Sequence, residues 1–235
     1  SVTMVWLGFP MIITGAMTEL ADSPYQLIIA PAGHDHDQGP QAIEVLADRQ
    51  VDGIVAISSR VPQPWLEELG HATPLVMIGR HQPSVSYDTL CGDDLAGAAL
   101  AVRHLFELGH RRIVHVTLAE SQADTSPDTP HGMRVVGYER AMTELGLVPE
   151  FLRTSPEHAA AADGGQELVK QAVLKFLRTL DGPVGLFAAH DELALGVLEA
   201  VAELGLTPGQ ASVVGYDDTD IAAHPKMSMS SINQS

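Results

Sequence analysis

Short apolar runs alternate with stretches of helical spacing along almost the whole chain. Val2–Leu7, Tyr25–Ala30, Gly53–Ile57 and Pro74–Ile78 read as strands, and Val85–Tyr87 as an edge strand. Between them the spacing predicts helices over about Met11–Leu20, Gln41–Arg49 and Pro64–Leu69. A longer helix is predicted over Asp94–Leu108, with Leu95, Ala98, Ala99, Val102, Leu105 and Phe106 on one face. Asp93 or Asp94 can cap its start, and Gly109 suits a left-handed stop. Strand Ile113–Val116 follows, then a polar, proline-bearing loop over Glu120–His131, a helix over Arg134–Leu145 ended by Gly146, and a helix over about Gly165–Leu180.

The segment from Val184 to Asp218 is the most informative. It reads as strand, helix, strand: VGLFAAHD, ELALGVLEAVAELGL, ASVVGYDD. Each strand ends in polar groups, His190 and Asp191 in one case, Asp217 and Asp218 in the other. In a parallel sheet these ends share one edge, where α/β proteins gather ligands. A last apparent strand is Met229–Ile232. Such alternation predicts parallel sheets covered by helices on both faces. The fold class expected is α/β: two doubly wound parallel-sheet lobes, residues 1–117 and 118–235, with a central cleft.

The 235 residues include 13 Lys plus Arg against 30 Asp plus Glu, a formal charge of -17. Nucleic-acid binding rests on neutralising phosphates with basic groups. Any DNA contact is therefore expected from a segment outside this sequence. No apolar run is long enough to span a bilayer, so no membrane association is expected. The start lacks the basic flank and cleavage pattern of a signal peptide. A single cysteine, Cys91, excludes an internal disulfide framework and favours a reducing, cytoplasmic setting.

Cys91–Val116, CGDDLAGAALAVRHLFELGHRRIVHV, resembles the regulatory domain of the lactose-repressor (LacI/GalR) family. Met133–Leu147 resembles the same family's Arg-x-x-Gly-aromatic helix, FAAHDELALGVLEAVAELGL and SVVGYDDTDIAAHP its two C-terminal signatures, and Val51–Ser58 an earlier one. The resemblance covers most of the chain. It implies a periplasmic binding protein-like fold, an effector-sensing role, a homodimer, and an operator read by an N-terminal helix-turn-helix. That DNA-binding head and the C-terminal closing elements are expected to lie outside the sequence given. Helix Asp191–Leu204 and the Asp220–Pro225 loop look like the family's dimer surface.

Six residues are candidates for effector binding. Arg134 carries a guanidinium fork able to clamp paired oxygens, and the matching family arginine commonly contacts effector; a surface or lobe–lobe ion pair is the alternative. Asp217 can accept two hydrogen bonds from adjacent sugar hydroxyls, or serve as a turn aspartate. His190 stands where the family usually has Asn, and offers a donor and an acceptor with different reach; it could equally be a satisfied histidine at a strand end. Asp191 reads as the next helix's N-cap. By resemblance Gln234 occupies a crossover position facing the pocket. Phe9 could stack on an apolar sugar face, and Ser58, beside Ser59, could donate at a strand end.

The run His34-Asp35-His36-Asp37 reads as a solvated loop rather than a metal site, because neighbouring loop residues rarely point the same way. Cys91 reads as a buried or dimer-adjacent thiol rather than a nucleophile. No Gly-rich phosphate loop, Gly-x-Ser-x-Gly elbow or paired-carboxylate motif appears, so neither a cofactor, a metal nor an enzyme activity is expected. The function expected is a ligand-responsive transcription regulator that binds a sugar or sugar derivative. A secreted sugar-binding protein of a transport system is the alternative.

Overall fold

A computed structural model describes residues 8–30, 38–57, 61–117, 129–153 and 166–234. The chain divides into two compact units, Ser1–Cys91 and Gly92–Ser235.

The first unit contains helices α1 (Gly8–Leu20), α2 (Gln38–Asp48) and α3 (Gln63–Ala72) and strands β1 (Ile54–Ile57), β2 (Leu75–Ile78) and β3 (Asp88–Leu90). The strands form one parallel sheet in the order β1-β2-β3. Its core gathers Ile43 from α2, Ile54 and Ala56 from β1, Leu66 from α3, Leu75 and Met77 from β2, with Val61 and Tyr87 from loops. The alternation Ile54, Ala56 and Leu75, Met77 is the period-two signature of strands with one face on this core.

The second unit contains α4 (Asp94–Glu107), β4 (Ile113–Thr117), α5 (Pro130–Glu144), β5 (Glu150–Arg153), α6 (Gln166–Leu177), β6 (Val184–Ala188), α7 (Asp191–Glu203), β7 (Ala211–Tyr216), α8 (Asp220–Ala223) and β8 (Ser230–Ile232). Its five strands are parallel, in the order β5-β4-β6-β7-β8. Both faces are covered, as β6 shows. Val184, Leu186 and Ala188 join the cluster formed with α6 and α7, while Phe187 joins the one formed with α4 and α5. Each large apolar side chain so buried contributes roughly 1.5–3 kcal/mol. The chain steps from β4 to β5 on one side and then to β6 on the other. The order therefore reverses between β4 and β6, and a doubly wound sheet opens a crevice outside the C-terminal strand ends at such a point.

Local chemistry sets the helix ends. Asp93, not Asp94, caps α4 by accepting a 3.0 Å hydrogen bond from the Ala96 N–H. The helix ends with Gly109 at φ 99°, its N–H bonded to Phe106 O and the next N–H, of His110, to Leu105 O. A side chain at that φ would be strained, which is why glycine stands there. Thr129 caps α5, with Pro130 fixing its first turn.

Several expectations change. Tyr25–Ala30 forms no strand; Leu27, Ile28 and Ile29 are exposed. A strand exists only through a ladder partner, and none is present for this segment among the described residues. The edge strand is Asp88–Leu90, just after the expected Val85–Tyr87. The boundary expected after Thr117 falls inside the second unit, because α4 packs on α5 and β4 lies between β5 and β6. Periodicity shows that α4 has an apolar face but not which sheet it covers. Strand β5 was not anticipated: four residues carry too little pattern, and the Tyr138 hydroxyl locates it by accepting from the Glu150 N–H at 2.8 Å. His131, expected in a loop, lies in the first turn of α5. Cys91 is exposed, which removes the buried setting of the two expected for it. Val2–Leu7 and His34–Asp37 lie outside the described residues.

The crossing of α4 and α5 depends on Gly137. A Cβ there would lie 2.6 Å from Leu95 O and 3.0 Å from Ala98 Cβ. Gly137→Ala is expected to lower stability by about 1–3 kcal/mol through overpacking. Urea unfolding checks this as a reduced midpoint at unchanged slope.

Candidate functional site

The C-terminal edge of the second sheet is built around one buried cation. Arg134 lies in the second turn of α5 and is only 4% exposed. Nε donates to Asp94 Oδ1 at 2.8 Å, Nη1 to Ala189 O at 2.5 Å, and Nη2 faces Asp217 Oδ1 at 3.4 Å. The guanidinium also stacks 3.7 Å from the centre of the Tyr216 ring. Three elements thus supply its environment: the start of α4, the end of β6 and the end of β7. Asp94 is 1% exposed, so its pairing with Arg134 is a buried ion pair held in low dielectric. The Tyr216 hydroxyl bonds Asp94, and burial followed by that negative charge raises its pKa. The hydroxyl reaches α4 because residue 97 is glycine; a Cβ there would overlap it.

Asp217 sits just past β7 at φ 103°, followed by Asp218 at φ 48°. Such conformations cost non-glycine residues of order 1–3 kcal/mol and collect at functional sites. They are held by neighbours. The Asp217 N–H bonds Ile232 O at 2.9 Å, and the Asp218 N–H bonds Ser231 Oγ at 2.9 Å. Gln234 Nε2 donates to Asp217 Oδ1, the same oxygen that faces Arg134. Burial pushes the Asp217 carboxyl from its ordinary 3.8 up to about 6 against the opposing pull of Arg134, and the charges of Asp191 and Asp94 push the same way as burial.

Arg134, Asp217 and Gln234 are therefore brought together. His190 lies at the same edge and caps α7, its Nδ1 accepting from the Leu193 N–H at 3.3 Å. Its ring meets that of His131 edge-on at 5.8 Å between centres. Asp191 is not the helix cap expected. Its Oδ2 accepts from the N–H and hydroxyl of Thr219, both at 2.8 Å, and its Oδ1 from Ser231 Oγ at 2.6 Å. It ties α7 to the turn after β7 and to β8. Phe9 lies in α1, but its side chain lies outside the described residues, as does Ser58. Asp94, Tyr216 and Asp191 were missed as members of this network. For Asp94 a signal existed: an acidic pair at a helix start, where one residue suffices as cap.

Sequence and structure comparisons agree with the fold. The profile described as periplasmic binding protein-like domain matches residues 102–235, more than half of the chain. The chain belongs to that family. Within it, the likeness is to the effector-binding domains of LacI-type regulators. The HTH-type transcriptional repressor CytR of Escherichia coli K12 is 28% identical over 215 residues, covering 91% of this chain and 60% of the repressor. The chain thus spans about three fifths of the length of that curated relative. A LacI-type regulator from Rhodococcus superposes with a TM-score of 0.80 at 24% identity, over 98% of this chain and 81% of the other. One from Enterococcus faecalis V583, solved with bound ribose, superposes with a TM-score of 0.77 at 25% identity, over 97% and 79%. The matching relatives are transcription regulators, not enzymes.

Two outcomes are expected for this periplasmic binding protein-like domain. Arg134→Ala leaves Asp94 buried without its cation and is expected to cost about 3–5 kcal/mol. Denaturant titration measures it, and Arg134→Met combined with Asp94→Leu is expected to recover part of the loss. Asp217 governs a pH dependence. The folded chain holds its proton more tightly than the unfolded chain between 3.8 and about 6. Its stabilising contribution is full below 3.8 and is lost as pH rises through about 6. The unfolding free energy of the wild type relative to Asp217→Asn is expected to fall across that window and then level off. Urea unfolding of both proteins from pH 4 to pH 8 checks it; a flat difference would count against a buried, opposed carboxylate.

Proposed function

We propose that the chain is the effector-binding and dimerising part of a cytoplasmic, ligand-responsive transcription regulator. Its effector is a sugar or sugar derivative taken at the Arg134–Asp217 edge, with Gln234, His190, Phe9 and Ser58 as further contacts. The observation that carries this reading is the pairing of a guanidinium donor with a carboxylate acceptor at the C-terminal edge of a doubly wound sheet. The Enterococcus faecalis regulator solved with bound ribose supports the ligand class.

Effector binding acts by changing the angle of the N-terminal units across a homodimer, and so the spacing of two DNA-binding heads. Such rigid-body motion is a recognised switching class. The effector works only through its difference in affinity for the two states, typically about 1–3 kcal/mol of coupling. With a net charge of -17, this chain leaves phosphate contacts to a helix-turn-helix segment outside it.

Thermal unfolding in the presence of ribose, glucose and nucleosides tests the reading. A matching effector at about 100 times its Kd is expected to stabilise the fold by about 2.7 kcal/mol. Asp217→Ala and Gln234→Ala are expected to abolish the shift. No shift with any compound, or an equal shift in Asp217→Ala, would overturn the assignment.

A further inference from the structure

We infer that His190 makes the start of α7 pH-sensitive: its imidazole caps the helix only while neutral, so acidification releases the Leu193 N–H and loosens the edge that holds Arg134. This goes beyond the proposed function and depends on no particular effector.

The first support is the cap itself. His190 Nδ1 accepts from the Leu193 N–H at 3.3 Å, and the residue is 6% exposed. A neutral imidazole has one acceptor nitrogen and one N–H, whereas a protonated one has two N–H groups and no acceptor. The bond therefore requires the neutral ring with its proton on Nε2. Protonation turns Nδ1 into a donor aimed at a donor, at a helix end whose N–H groups already repel a cation. Leu193 is fully buried, so its released N–H lacks ready access to water. The caps of α4 and α5 are oxygens instead: Asp93 accepts from the Ala96 N–H and Thr129 from the Gly132 N–H. Imidazole is the cap whose charge changes between about pH 5 and 8.

The second is the set of charged and titratable groups at this edge. From α5, the His131 ring meets His190 edge-on at 5.8 Å, and Arg134 bonds the carbonyl of the preceding residue, Ala189. Asp191 and Glu192 lie in the first turn of α7, Asp94 at the start of α4, and Asp217 and Asp218 in the turn after β7. Asp94 is bonded to Arg134, Asp191 to Thr219 and Ser231, Asp217 to Arg134 and Gln234, and Asp218 to Asn233. A second imidazole and a guanidinium thus oppose a positive charge on His190, while the four aspartates are held by other partners.

The third is the connection to the rest of the edge. His190 follows directly on Ala189, whose carbonyl accepts from Arg134 Nη1, and its own carbonyl accepts from the Ala194 N–H at 3.1 Å. A shift of His190 on losing its cap is passed to both the buried cation and the first turn of α7.

NMR of the ring nitrogens and amide exchange of the full chain test the inference. His190→Asn is the control, since asparagine caps a helix without titrating. At about pH 7.5 the Nδ1 of His190 is expected to carry no proton. On acidification to about pH 5.5 the ring is expected to protonate, and the Leu193 amide, corrected for intrinsic exchange, to lose about fivefold protection, the size of a lost N-cap. In His190→Asn the Leu193 protection is expected to stay constant. Urea midpoints of the same pair, measured in the Asp217→Asn background to remove the opposing titration of Asp217, are expected to diverge as pH falls, with His190 the less stable. A proton on Nδ1 at about pH 7.5, a ring still neutral at about pH 5, or Leu193 protection that falls equally in His190→Asn would each overturn the inference while leaving the regulator reading in place.

Discussion

Burying the guanidinium of Arg134 is the constraint on which the second unit's edge depends. Removing such a charge from water costs several kcal/mol, and the cost is offset only when every direction around the group is supplied with a partner. Asp94 supplies one from the start of α4, Ala189 O another from the end of β6, and the Tyr216 ring and Asp217 the rest from the end of β7. Three distant stretches of sequence are thereby fixed against one side chain. The demand reaches into the helix sequence as well: Gly97 keeps α4 clear for the Tyr216 hydroxyl.

Around that centre lies a second set of polar bonds that holds the backbone rather than the cation. Asp191 gathers Thr219 and Ser231, so α7, the turn after β7 and β8 share one carboxylate. Residue 215 is glycine because a Cβ there would meet Asp191 Oδ1. These bonds keep Asp217 and Asp218 in their left-handed conformations and present the Asp217 carboxylate beside Arg134. The placing of that carboxylate is therefore an outcome of backbone restraint as much as of side-chain identity.

Much of this was legible in the sequence. Period-two runs and helical spacing gave the alternation of the second unit, and Gly109 and Gly146 marked helix ends. Asp217 stood out because a polar residue at the end of an apolar strand has few reasons to be there, and Arg134 because its helix resembles that of a known family. What was hidden is long-range. Nothing local distinguishes Asp94 from Asp93, since both suit a helix start, and only the fold shows that one caps while the other is buried against Arg134. Asp191 looked like a cap for the same reason, and His190 takes that position instead. The assignment of α4 to the second unit likewise depends on which sheet lies beneath its apolar face, a tertiary fact that periodicity does not contain.

The bonds from Gln234 to Asp217 and from Ile232 to the Asp217 N–H join residues far from Asp94 in sequence to the same cluster. Closing so long a loop is slow, and its entropy must be lost before the contacts it brings are gained. During synthesis the cluster stays incomplete until residue 234 has left the ribosome and β8 has paired with β7. A ligand that recognises the finished cluster cannot assist the earlier steps of folding. It can only report that they are done, so that recognition of this cluster is restricted to molecules in which β8 is already paired with β7.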